Sequence, residues 1–99
     1  MDYLYVRCST NEDKQNMLRQ IKFGESHGIV SKGQIFKEYA SGAKDDRTEL
    51  NKLLAIVKEG DTIYASDCSR ITRSLKHLFS IIDFAKEKRL KLVMRRFRN

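Results

Sequence analysis

The chain has 99 residues, 40% of them hydrophobic and 33% charged, with no proline. That is enough for one domain with a single core, and the balance excludes a disordered or fibrous chain. No apolar run approaches bilayer length, and the opening MDYLYVRCST lacks a basic segment followed by an apolar one. The expectation is a cytoplasmic protein with no membrane partner. The net charge of +7 sits at one end: residues 1–85 balance to +1, whereas residues 86–99 carry seven Lys or Arg against Glu87 alone. A basic end of this kind suits a polyanion such as DNA, although a solvated terminal segment has the same composition. Two cysteines, Cys8 and Cys68, make neither a disulfide framework nor a zinc spacing and read as reduced thiols.

In chain order, residues 3–8 (YLYVRC) are aromatic and β-branched and predict a strand. Residues 11–27 predict a helix with sparse apolar positions Met17, Ile21 and Phe23, ended by Gly24 and Gly28. Residues 34–39 predict a second strand, and residues 40–47 (ASGAKDDR) have loop composition. Residues 48–58 form the clearest helix, with Leu50, Leu53, Leu54 and Val57 on one stripe. A third strand is expected over 62–66. A second amphipathic helix follows through Leu75, Leu78, Phe79, Ile82 and Phe84 or Ala85, and a last strand over 89–94. Strands alternating with helices predict an α/β fold: a mostly parallel central sheet of four to five strands flanked by helices. In such sheets functional groups gather at the carboxyl ends of the strands. Ser9, the Ser41-Gly42 turn and residues 69–73 all follow expected strands.

Alternation along the first strand turns Arg7 and Ser9 to one side and Cys8 to the other. A serine hydroxyl is a poor nucleophile unless a base or cations activate it, and a guanidinium holds phosphate oxygens in a planar fork. On its own, however, Ser9 or Thr10 is as well read as a cap of the following helix. Arg70 and Arg73, three apart at a helix start, share a face and could bind an anion, or could simply be solvated with Ser69 as the cap. Arg47 is open to an ordinary ion pair with Asp45, Asp46 or Glu49. His27 and His77 read as surface histidines, and no carboxylate or histidine set suggests a metal.

These parts together resemble the catalytic domain of serine recombinases, the resolvase/invertase family. Tyr5-x-Arg7-x-Ser9-Thr10 resembles the opening Y-x-R-x-S-T, and residues 16–20 (NMLRQ) resemble N-L-x-R-Q on the first helix. Phe36-Lys-Glu-Tyr-Ala-Ser41-Gly42 with Asp46-Arg47 resembles F-x-D-x-x-S-G followed by (D)R. Residues 59–62 (EGDT) with 69–74 (SRITRS) resemble G-D followed by D-R-L-x-R-S. The resemblance covers essentially the whole chain, in order. It implies Ser9 as nucleophile toward a phosphate of double-stranded DNA, through a 5′-phosphoserine intermediate, without metal, cofactor or ATP. It implies Arg7, Arg47, Arg70 and Arg73 as cations on the phosphate, and Gln20, Ser41, Asp46, Ser69 and Asp67 as supporting residues. Ser69 stands where the commonest motif has aspartate, which leaves the general base open between Asp67 and another group, and leaves a catalytically silent relative as the alternative. The first helix approach, residues 11–15, is about two residues longer than is usual. The resemblance further implies that residues 1–99 are one catalytic domain. The long oligomerisation helix and DNA-binding domain that accompany it, and the homodimers and homotetramers they build, would lie outside these residues.

Overall fold

The computed structural model describes residues 1–9, 14–40, 47–67, 71, 75–95 and 97–98, with Ser9, Ala40, Phe97 and Arg98 described by backbone alone. Its elements are β1 (Asp2–Ser9), α1 (Lys14–Glu25), β2 (Ile35–Ala40), α2 (Thr48–Ile56), β3 (Thr62–Ala65), α3 (Leu75–Lys88), β4 (Lys91–Met94) and β5 (Phe97–Arg98). One sheet holds all five strands in the order β2-β1-β3-β4-β5. The first four are mutually parallel, and β5 turns back antiparallel on β4. This is the expected α/β architecture. The short β5 is a gain over the sequence reading, which treated these basic residues as an approach to DNA. Among the described residues, no helix is long and apolar enough to cross a membrane.

β1 is central and is buried on both faces, because its side chains alternate between two cores. Tyr3 and Tyr5 join Leu50, Leu53, Ile63, Ile81, Ala85 and Leu92 in the larger core, under α2 and α3. Leu4, Val6 and Cys8 face the other way, onto Ile29 and the Met17 and Phe23 side chains of α1. The helices therefore cover opposite faces of the sheet, and the strand order reverses at β1. Cys8 is buried, with its Sγ 3.9 Å from Met17 Sδ and 3.7 Å from Gln20 Nε2; Cys68 lies outside the described residues.

Helix ends follow local chemistry. After α1, Gly28 takes a φ of 83°, and Ile29 and Gly28 donate to the carbonyls of Gly24 and Glu25, closing the helix with a left-handed residue. After α3, Arg89 does the same with a φ of 58°, so the last strand starts at Lys91 rather than at residue 89. α2 stops at Ile56, where Val57 turns extended and buries its side chain in the larger core, two residues earlier than the apolar stripe predicts.

Three expectations need correction. The buried face of α3 carries Ile81 and Ala85, while Leu75 and Phe79 are 69% and 59% exposed. The expected stripe holds in its second half, where Ile82, Phe84 and Ala85 pack on the larger core, and fails at Leu75 and Phe79. His27 is not in a helix. It occupies the turn after α1, half-buried, stacked on Tyr64 at 4.7 Å between ring centroids and edge-on to Phe23. His77 is likewise half-buried rather than on the open surface.

Two features carry predictions. A Cβ on Gly24 would stand 2.6 Å from Cδ2 of the fully buried Leu4, so glycine permits α1 to approach β1. Gly24→Val is expected to lower stability by roughly 1–3 kcal/mol through overpacking, read from denaturant unfolding. Asp61 accepts hydrogen bonds from the Met1 ammonium at 2.9 Å and the Lys58 N–H at 2.8 Å. These hold its carboxyl below the ordinary value of 3.8. A depressed folded-state pKa gives stability that is present above the ordinary value and lost as pH falls through the depressed one. Asp61→Asn should therefore lower the Tm at pH 7, and the gap from the wild type should close as pH falls below the ordinary carboxylate value.

Candidate active site

The site is built where two strands part. β1 pairs with β2 from Leu4 to Ser9, whereas its pairing with β3 runs over Asp2–Leu4. Beyond that point the β3-facing side of β1 opens at its carboxyl end, next to the strand-order reversal, which is where open α/β sheets place ligands. Arg7 and Ser9 are the last odd-numbered positions of β1, with Glu38 and Ala40 as their partners on β2. The Arg7 side chain is half-buried.

Gln20 of α1 fills the opening. It is 1% exposed, and its amide is paired to the peptide groups of Arg7: the Arg7 N–H donates to Oε1 at 3.0 Å, and Nε2 donates to the Arg7 carbonyl at 3.0 Å. Nε2 also reaches the Asn16 Oδ1 at 3.2 Å. A side-chain amide thus replaces the strand that has moved away, satisfying backbone groups that would otherwise be costly to bury. Gln20 thus meets the backbone of Arg7. Asp67 lies half-buried just past β3, with the Ser66 hydroxyl donating to its Oδ2 at 3.5 Å.

Arg47 stands at the N-cap of α2 and is 8% exposed. Its guanidinium donates through Nη1 to the Ile71 carbonyl, so the arginine ties the start of α2 to Ile71. At that burial its side chain is not solvated. Its charge is buried beside Tyr5, whose hydroxyl donates to Oε1 of Glu38 at 3.1 Å. Burial and the Glu38 carboxylate push the Tyr5 phenol well above its ordinary value, and the Arg47 guanidinium pulls against them. Tyr5 is therefore a fixed hydrogen-bond donor at neutral pH.

Of the residues singled out from the sequence, Arg7, Gln20, Arg47 and Asp67 have described positions. The side chain of Ser9 and the residues Ser41, Asp46, Ser69, Arg70 and Arg73 lie outside the described residues. Two members of the polar cluster were not among the candidates: Tyr5 and Glu38. Glu38 had a legible signal. It alternates with Phe36, which packs on the larger core, so its carboxylate had to enter a buried face of β2 and find donors there.

Comparison with known proteins accords with this geometry. The family model for the resolvase N-terminal domain matches residues 3–97. A resolvase of Clostridium perfringens is 43% identical over 84 residues, covering 85% of this chain and 43% of that protein. The transposon Tn1546 resolvase of Enterococcus faecium is 36% identical over 89 residues, covering 89% of this chain and 44% of that protein. The chain thus spans less than half the length of these curated relatives. Among solved structures, a serine recombinase from Sulfolobus solfataricus superposes with a TM-score of 0.73 at 20% identity over 94% of this chain and 66% of that one, a likeness of fold. By its motifs, its fold and this match along nearly its full length, the chain belongs to the resolvase N-terminal domain family of serine recombinases.

Proposed function

We propose that this chain is the catalytic domain of a site-specific DNA recombinase in which Ser9 is the nucleophile. The observation that carries the reading is the placement of Arg7. Arg7, half-buried and with its peptide groups paired to the Gln20 amide, stands two residues before Ser9 where β1 and β3 diverge. Ser9 Oγ attacks a backbone phosphate of double-stranded DNA, forming the P–O bond of a 5′-phosphoserine and breaking the bond to the 3′ oxygen. The serine proton leaves to a base, and the departing 3′ oxygen takes up a proton. The reverse reaction onto another strand end rejoins the DNA, so the covalent intermediate conserves the phosphodiester's free energy without ATP. Negative charge on the non-bridging oxygens is met by fixed cations, assigned to Arg7, Arg47, Arg70 and Arg73. Ser41, Asp46, Ser69 and Asp67 are assigned as supporting residues, and no metal or cofactor takes part. Residues 1–99 would be one domain of a longer protein that binds DNA as a dimer or tetramer in the cytoplasm.

A second reading, a recombinase-like domain that assembles on DNA without cutting it, is favoured by Ser69 in place of the aspartate usual in the motif. One experiment separates the two. The full-length protein is incubated with its supercoiled site DNA in EDTA, and protein linked to 5′ ends is quantified. The first reading expects an adduct that Ser9→Ala abolishes and that Arg7→Ala slows by on the order of 10²–10³-fold. An adduct that survives Ser9→Ala, or needs a divalent metal, would sink it. Full occupancy of the site with no adduct would favour the second.

A further inference from the structure

The two faces of the edge strand β2 meet different surroundings. On one side Phe36 packs against the larger core and Glu38 is buried, under α2. Alternation turns Ile35, Lys37 and Tyr39 to the other side. Ile35 packs on the smaller core, but Lys37 is exposed and Tyr39 is 55% exposed. The cause is the placement of α1, which packs on β1 and β3. Its Phe23 meets Tyr64 of β3 at 6.5 Å between ring centroids, and its Met17 Sδ lies 3.9 Å from Cys8 Sγ of β1. Around the helix in the same sense, from Phe23 past Gln20 and Met17, the next positions are Ile21, Lys14 and Leu18. That flank therefore looks out over β2, and Leu18 is 55% exposed.

The charge on this open face is one-sided. Among the described residues from 14 to 40, the exposed ionic side chains are Lys14, Arg19, Lys22, Lys32 and Lys37 against Glu25, while Glu38 is turned inward and buried. Glu25 ends α1, at the far end of the helix from Lys14. Among the described residues no ion pair engages Lys14 or Lys37. Exposed lysines around a tyrosine fit a polyanion, since both side chains contact phosphate oxygens. The face also adjoins the candidate cleavage site. In the parallel register Tyr39 pairs with Cys8 and Ala40 with Ser9, which puts the Tyr39 Cα roughly 6 Å from the Ser9 Cα. Lys14 opens the helix that follows Ser9 in the chain.

We propose that Lys14, Lys37 and Tyr39 form a DNA-backbone contact beside Ser9: the two ammonium groups and the tyrosine hydroxyl hold phosphates that flank the scissile one, on the α1 side of the sheet. The proposal rests on the recombinase reading above, which makes duplex DNA the polyanion. These contacts read no bases. They fix how the duplex lies over the end of β1, whatever its sequence.

The test uses the full-length protein carrying Ser9→Ala, so that binding is read without cleavage. Affinity is measured over a range of salt for duplexes with and without the recombination site. Each lost phosphate contact makes the dependence of log affinity on log salt shallower by about 0.9. Lys14→Gln and Lys37→Gln should each do this, and do it equally on both duplexes. Tyr39→Phe should weaken binding about 10-fold with the salt dependence unchanged, because a neutral donor releases no counterion. Lys52→Gln, an equal loss of charge on α2 across the sheet, should leave the salt dependence as it is. Replacing single phosphates beside the scissile one with uncharged methylphosphonates should weaken binding at one or two positions, and one of these should fall silent in Lys37→Gln. The substituted side chains are exposed, so the variants are expected to fold, which thermal unfolding checks. Salt dependences that match Lys52→Gln, or a methylphosphonate pattern that Lys37→Gln leaves unaltered, would overturn the proposal. So would variants that change only the oligomeric state, which would make the face a contact between copies. With Ser9 restored, a protein that binds its site and forms no adduct would remove the cleavage chemistry, while the salt dependences still decide the DNA contact.

Discussion

Everything in this domain is referred to β1, a strand buried on both faces. Tyr3, Leu4, Tyr5 and Val6 are consecutive and all buried, so the strand has no solvent side through its middle. Odd positions build the core under α2 and α3, and even positions build the core under α1. A one-residue slip would exchange the two sets and put tyrosines against α1. The register that this forbids is also the register that brings Arg7 and Ser9 to the open end of the strand.

That end is polar because the sheet divides there. Where β3 leaves, the peptide groups of Arg7 lose a strand neighbour, and the Gln20 amide takes its place with one donor and one acceptor at 3.0 Å each. On the β2 side, Glu38 meets the start of α2 and the Tyr5 hydroxyl. Both devices use a side chain to complete backbone hydrogen bonding that regular structure leaves undone. The first holds the backbone of Arg7, and the second holds the first turn of the helix that Arg47 begins.

Much of this was legible in the residues. The alternation of strand and helix compositions yields the α/β class, and the Leu50-Leu53 stripe yields the buried face of α2. The ordered motifs select the candidate residues, including Gln20. Less legible was the orientation of α3, where an all-round apolar composition hides which face is buried until Ile81 and Ala85 are seen packed. β5 was missed because two residues, one of them Arg98, carry no periodicity. Glu38 and Tyr5 were quoted within motifs, yet their part appeared only when residues 5, 38 and 47 were brought together.

The sequence by itself determined the fold class and the family, and it named the candidate residues. These depend on side-chain type and on spacing along one chain, which are local. Only the tertiary structure decided how Arg7 and Arg47 are held: one by a glutamine thirteen residues on, the other beside a carboxylate on a neighbouring strand and against a carbonyl twenty-four residues away. Those partners are chosen by strand register and helix crossing, and no count along the sequence contains them.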